Sequence, residues 1–184
     1  MKKQKTKRFY MKFKSFDEEE QWLMEQAQKG WRLVSYDSEE FDDCVYKFVQ
    51  DEAAKQYRYK IDFREFSSKT DFEDYKELFN ETGWTLLAKN RSYRKHIFIS
   101  NSGAEIFSDQ ASIIEREIRR YRSAKVNAIG SFVIAVIAAG LLYYFDFEYK
   151  GLFYGTLMCL GATWMYTINA MKSKKIINKA GIEE

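Results

Sequence analysis

The sequence predicts an α+β cytoplasmic domain, with tandem βαββ units forming an antiparallel sheet with helices on one face, followed by a two-helix transmembrane hairpin. Three patterns carry that expectation. Two long C-terminal stretches, Val126–Phe145 and Gly151–Met171, hold no charged residue. Segments of period-two alternation occur near the start and again in the middle of the chain. The dipeptide Gly-Trp twice follows a charged, helix-like stretch, in QKGWRLVSY and ETGWTLLAK.

The first alternating segment is RFYMKFK, Arg8–Lys14, and the second is YRYKIDFR, Tyr57–Arg64. Strict alternation marks half-buried strands. A helix start follows each: Asp17 with Glu20, and Thr70 with Glu73, have the spacing of an N-cap and its third helical residue. The helix-forming runs EEEQWLMEQAQK and DFEDYKELFNET come next. Gly30 and Gly83 then fit the left-handed position that ends a helix, and Trp31 and Trp84 are placed to fold back over the last turn. An exposed tryptophan pair acting as a ligand platform is the competing reading of these four residues. Past each pair come two strands, WRLVSYD with CVYKFVQ and WTLLAKN with YRKHIFIS.

Glu105–Phe107 reads as a last short strand, and Ser108 or Asp109 as the cap of a helix in which Ile114, Ile118 and Tyr121 share a face. No breaker separates that helix from the first apolar stretch, so one helix is expected from about 110 to 145. A bilayer core of about 30 Å is crossed by roughly 20 apolar helical residues, and both stretches qualify. The predicted organisation is a tandem domain at 1–108, a basic juxtamembrane helix at 109–125, a hairpin at 126–171 with spans 126–145 and 151–171, and a basic tail at 172–184. Arg116, Arg119, Arg120, Arg122 and Lys125 precede the first span, and Lys172, Lys174 and Lys175 follow the second. The positive-inside bias then puts both termini in the cytoplasm, making this a multi-pass protein of the cell membrane with these basic residues at the lipid surface. Ser131, Ala135 and Ala139, and Gly151, Gly155 and Cys159, form small-residue stripes that suit helix pairing within the hairpin or between copies.

Composition excludes several classes. A net charge of +3 is too small for a nucleic-acid binder. Two cysteines, Cys44 and Cys159, make neither a disulfide framework nor a CxxC metal site. The basic N-terminus lacks the apolar run of a signal peptide. No phosphate-binding glycine loop, zinc spacing or catalytic cluster is present, so no cofactor, metal or enzymatic activity is expected. His96, the one histidine, lies in an expected strand and reads as a structural or surface residue. The acidic run Glu39, Glu40, Asp42 and Asp43 reads as a solvated hairpin loop in preference to a cation site.

The strings KGWRLVSYD, YRYKIDFREF, DYKELFNETGW and EIFSDQASIIEREIRRYR resemble the DUF2812 family of bacterial membrane proteins, over most of residues 8–122. The segment KNRSYRKHIF departs from that pattern at Ser92. The resemblance implies a membrane-tethered cytoplasmic domain of unknown activity and an association with PadR-type regulators. The expected function is a regulatory or adaptor protein that binds a protein partner or small ligand. An accessory subunit of a membrane transporter is the alternative. A third, an enzyme acting on lipid or envelope precursors, would depend on His96 or on Glu39–Asp43.

Overall fold

The computed structural model describes residues 5–37, 44–88, 91–102, 105–106, 110–145 and 149–179. The chain divides into two units, Met1–Asp109 and Gln110–Glu184. In the first, strand β1 (Thr6–Met11) leads to helix α1 (Phe16–Gln28), β2 (Trp31–Asp37) and β3 (Cys44–Gln50). A 3-10 turn at Glu52–Gln56 passes the chain to β4 (Arg58–Phe63), α2 (Lys69–Glu81), the short β5 (Thr85–Leu86) and β6 (Lys95–Ser100).

The strands form two three-stranded antiparallel sheets, ordered β1-β3-β2 and β4-β6-β5. Their registers correspond. Leu33 lies opposite Phe48 as Leu86 lies opposite Phe98, and Phe9 opposite Tyr46 as Asp62 opposite His96.

The expectation of helices on one face of a sheet is corrected. The helices α1 and α2 take opposite faces of the second sheet. Ile97 and Ile99 of β6 join the core of Leu23, Ala27, Leu33, Phe48, Tyr59 and Ile61, to which α1 contributes. Phe98 joins Phe72, Tyr75, Trp84 and Leu86, the core under α2. The reason lies in β6 itself. His96–Ser100 is buried at every position, so both faces of the strand need cover. Burial of each large apolar side chain contributes roughly 1.5–3 kcal/mol. On the first sheet Trp22 forms the hub, with ring centroids 5.6 Å from Phe9, 5.1 Å from Tyr46 and 5.6 Å from Phe48.

The helix starts also differ from expectation. Ser15 and Ser68, two residues upstream of Asp17 and Thr70, are the N-caps. Their hydroxyls accept from the Glu18 and Asp71 backbone N–H at 3.2 and 3.0 Å. Glu18 completes the first cap by accepting from the Lys14 N–H at 2.9 Å.

At the other ends, Gly30 and Gly83 both have φ of 80°. The Gly83 N–H donates to the Asn80 carbonyl at 3.0 Å and the Trp84 N–H to the Phe79 carbonyl at 2.9 Å, the paired bonds of a Schellman motif. The Gly30 N–H donates to the Ala27 carbonyl at 2.9 Å. Trp84 is buried in the second core. Trp31 is half-buried at the margin of the first, with Lys7 Nζ 4.2 Å above its ring. Glu105 and Ile106 form no strand, and Phe107, Ser108 and Asp109 lie outside the described residues.

The second unit is a pair of helices, α3 (Gln110–Tyr144) and α4 (Lys150–Lys179). The hydroxyls of Ser131 and Thr163 lie 2.8 Å apart across their contact. Ala124, Ser131, Ala135 and Leu142 recur on α3 near the 3.5-residue period of helices that supercoil about each other. Two members of the expected small-residue stripes, Ala139 and Gly151, are exposed. A Cβ added at Gly151 or Gly155 would meet nothing within 4 Å, so these glycines are not what brings the helices together. Among the described residues one helix, Ala111–Tyr144, is long and apolar enough to cross a membrane. In α4, Tyr154, Thr156, Thr163, Tyr166 and Thr167 interrupt the aliphatic run.

A Cβ at Gly30 would meet only the Asp51 carbonyl, at 3.9 Å. Gly30→Ala therefore isolates the cost of its backbone conformation, about 1–2 kcal/mol of stability by denaturant titration. Gly30→Asn should cost less, because asparagine tolerates the left-handed region better.

Candidate functional site

Four carboxylates in a row, Asp17 to Glu20, open α1, and the helical turn splits them. Asp17 and Glu18 face solvent, whereas Glu19 and Glu20 are 3% and 5% exposed. Glu19 and Glu20 lie three or four residues before Leu23, so they join the buried face. Desolvating a carboxylate is costly unless it is hydrogen-bonded, and both of these are. Glu19 Oε1 accepts from the Tyr46 hydroxyl at 2.5 Å and from Lys95 Nζ at 2.8 Å. Glu20 Oε1 accepts from the Ile61 N–H at 2.9 Å, and its Oε2 from Lys60 Nζ at 3.3 Å. The pair thus joins α1 to β3, β4 and β6.

Tyrosine hydroxyls extend the same network between the sheets. Tyr36 donates to the Lys95 carbonyl at 2.6 Å and accepts from the Ile97 N–H at 3.2 Å. Tyr59 accepts from the Leu33 N–H at 2.9 Å, beside the irregularity between Leu33 and Ser35. Burial pushes the Tyr59 phenol up to about 12 and holds Tyr36 and Tyr46 further above the usual range, so all three stay neutral. Burial also raises the Cys44 thiol, opposed by nearby Lys95. Its Sγ donates to the Asp37 carbonyl at 2.9 Å, which marks an inert, structural cysteine.

The second focus is His96, which is fully buried. Its ring centroid lies 5.4 Å from Phe66, 6.0 Å from Phe72 and 5.4 Å from Tyr75. Neither ring nitrogen makes a hydrogen bond of good geometry among the described residues. Desolvation lowers its pKa to about 4, opposed only in part by the Tyr93 backbone and Asp62. Asp62, also fully buried, accepts from the Tyr75 hydroxyl at 2.9 Å and the Phe63 N–H at 2.8 Å, with Arg64 Nε 3.8 Å away. By register and packing, Asp62, Tyr75 and His96 occupy on the second sheet the places of Phe9, Trp22 and Tyr46 on the first.

The family model described as a protein of unknown function, DUF2812, matches residues 15–129. The chain belongs to that family. The match opens at the Ser15 cap and closes within α3, so it takes in Glu19, Glu20, Asp62, Tyr75 and His96. It leaves out β1 and α4 of this DUF2812 protein. No curated protein and no solved structure matches the chain.

The eight basic residues expected at a lipid surface divide in the DUF2812 chain. Arg116 is buried, its Nε 3.9 Å from Glu117, and Arg120 Nη1 lies 3.6 Å from the same carboxylate. Arg119 pairs with Glu115 at 3.3 Å. Arg122, Lys125, Lys172, Lys174 and Lys175 are exposed. The Ser131–Thr163 contact aligns α3 and α4 so that these five share one end of the helix pair. Glu39, Glu40, Asp42 and Asp43 lie outside the described residues. Among the described residues no three His, Cys, Asp or Glu side chains could hold a metal ion.

Sequence reasoning missed Glu19 and Asp62 and assigned Glu20 to a cap. The available signal was helical spacing: both glutamates share a face with Leu23 and Ala27. Asp62 gave no such signal, because alternation alone put it on a solvated face.

Glu19→Ala would leave the Lys95 ammonium buried without its carboxylate. We expect it to cost about 3–5 kcal/mol, read as a lowered denaturant midpoint. Tyr46→Phe should cost less, about 1–2 kcal/mol. His96 sets a pH dependence. Its folded pKa, about 4, lies below the ordinary 6.5, so the unfolded chain takes up the proton first. The stability from a neutral His96 is complete above pH 6.5 and is lost as pH falls towards 4, about 3 kcal/mol in all. His96→Phe should flatten that part of the stability profile; an unchanged profile would place the titration elsewhere.

Proposed function

We propose that the chain is a membrane-anchored regulatory or adaptor protein without enzymatic activity, whose first unit binds a protein partner or small ligand on the cytoplasmic side. In this reading α3 and α4 both cross the membrane as a hairpin, with both termini in the cytoplasm. The βαββ units are copies of one ancestral motif, which their equal strand registers support.

One observation carries the anchoring. The helix α3 is unbroken from a charged first third to an apolar remainder in which Phe132, Ile134, Val136 and Ile137 are more than half exposed. Such an expanse is costly in water and suited to lipid. The exposed collar of Arg122, Lys125, Lys172, Lys174 and Lys175 at one end fits the cytoplasmic boundary. Joining a soluble unit to this anchor suits recruitment better than turnover.

The test is crosslinking and capture of the full chain from native membranes. We expect a specific partner to be captured. Capture should survive replacement of the hairpin by an unrelated two-span hairpin and be lost with Glu19→Ala, which loosens the first unit. Capture that follows the hairpin instead would favour an accessory subunit of a transporter.

A further inference from the structure

Alternation divides the first sheet into two faces. Phe9, Leu33, Tyr46 and Phe48 turn toward α1, so Thr6, Arg8, Tyr10 and Lys47 turn away from it. On this outer face Arg8 stands directly opposite Lys47. Among the described residues neither meets a carboxylate within ion-pair distance. Like charges in that position destabilise a sheet. Among the described residues, the carboxylates of Asp51 and Asp37 that border the face are engaged. Asp51 accepts from Arg32 at 2.7 Å, and that hydrogen bond holds its carboxyl below the usual range. Asp37 accepts from the Tyr93 hydroxyl at 3.1 Å. Tyr10 is 65% exposed beside the basic pair, and Lys5 and Lys12 flank β1. On the opposite side, the solvent-facing residues of α1 include Asp17, Glu18 and Glu25. The sheet and its helix are therefore electrically polarised.

We infer that this outer face docks on a layer of anionic phospholipid headgroups. The inference rests on the membrane-anchored reading above and names the surface that the anchored unit engages. Charge complementarity selects the occupant. The face presents unpaired cations and a tyrosine that suits an interface, while the acidic helix face is turned away. A tether also relaxes the affinity required. Each basic side chain near an anionic leaflet contributes on the order of 1 kcal/mol, and anchoring raises the effective concentration of the surface. Docking also turns the Arg8–Lys47 repulsion to use.

The test uses the full chain, with Cys159→Ser and a fluorophore on Thr6→Cys, in nanodiscs carrying nitroxide-labelled headgroups. Quenching should be stronger with phosphatidylserine than with phosphatidylcholine alone, and should fall as salt is added. Arg8→Glu should reduce the docking equilibrium constant about tenfold or more. It should leave thermal stability equal or higher, because a repulsive pair becomes attractive. Equal quenching in the two discs, or no effect of Arg8→Glu on a chain that incorporates normally, overturns the inference and leaves the anchored reading standing. Binding of single-stranded RNA to this face in phosphatidylcholine discs also overturns it. A chain that fails to incorporate overturns both.

Discussion

Glu19 and Glu20 are neighbours in α1, yet they serve different strands. Glu19 closes onto Lys95 of β6 and Tyr46 of β3, and Glu20 onto the backbone and Lys60 of β4. Two carboxylates withdrawn from water on one helical turn impose a strict condition. Every lone pair left unfilled would cost as much as several buried methylenes contribute. The second sheet supplies most of what fills them, so α1 is satisfied only when both sheets are in place. The Ile61 N–H on the outer edge of β4 depends equally on α1, since among the described strands β4 pairs with β6 alone. The hydroxyls of Tyr36 and Tyr59 repeat the relation in opposite directions between the sheets. The first unit is therefore one cooperative body, although its chain order suggests two.

Much of that chain order was legible. WRLVSYD and CVYKFVQ are the observed β2 and β3, residue for residue, because alternation and flanking turn chemistry both delimit them. The helix ends at Gly30 and Gly83 were readable because a positive φ leaves glycine little competition. The helix starts were not, because Ser15, Asp17, Ser68 and Thr70 are all competent caps and sequence does not rank them. The sheet arrangement was also hidden. Whether HIFI is a half-exposed or a fully buried strand depends on a second layer that local pattern does not reveal.

The candidate site was less legible than the fold, for a related reason. A buried carboxylate and a solvated one are the same letter, and the partners of Glu19 lie 27 and 76 residues away. His96 was recognised as a strand residue, but its aromatic shell is assembled from α2 and the loop before it. In the second unit, the apolar character of α3 was plain from composition. The placing of Arg116 and Arg120 beside Glu117 was not, because a basic cluster reads alike whether it is solvated or paired internally.

The correspondence between Phe9, Trp22 and Tyr46 on one sheet and Asp62, Tyr75 and His96 on the other has a consequence for fidelity of folding. A chain containing two strand-helix-strand-strand arrangements can close with a helix on the wrong sheet. Here the two seats differ in chemistry. The indole of Trp22 placed over Asp62 could offer no hydroxyl to the carboxylate, and the Tyr75 hydroxyl placed among Phe9 and Phe48 would find no acceptor in those rings. Tyr75 in its own seat brings Asp62 the hydroxyl that the carboxylate accepts from at 2.9 Å. The polar seat on the second sheet thus matches α2 better than α1, a local preference that agrees with the native arrangement.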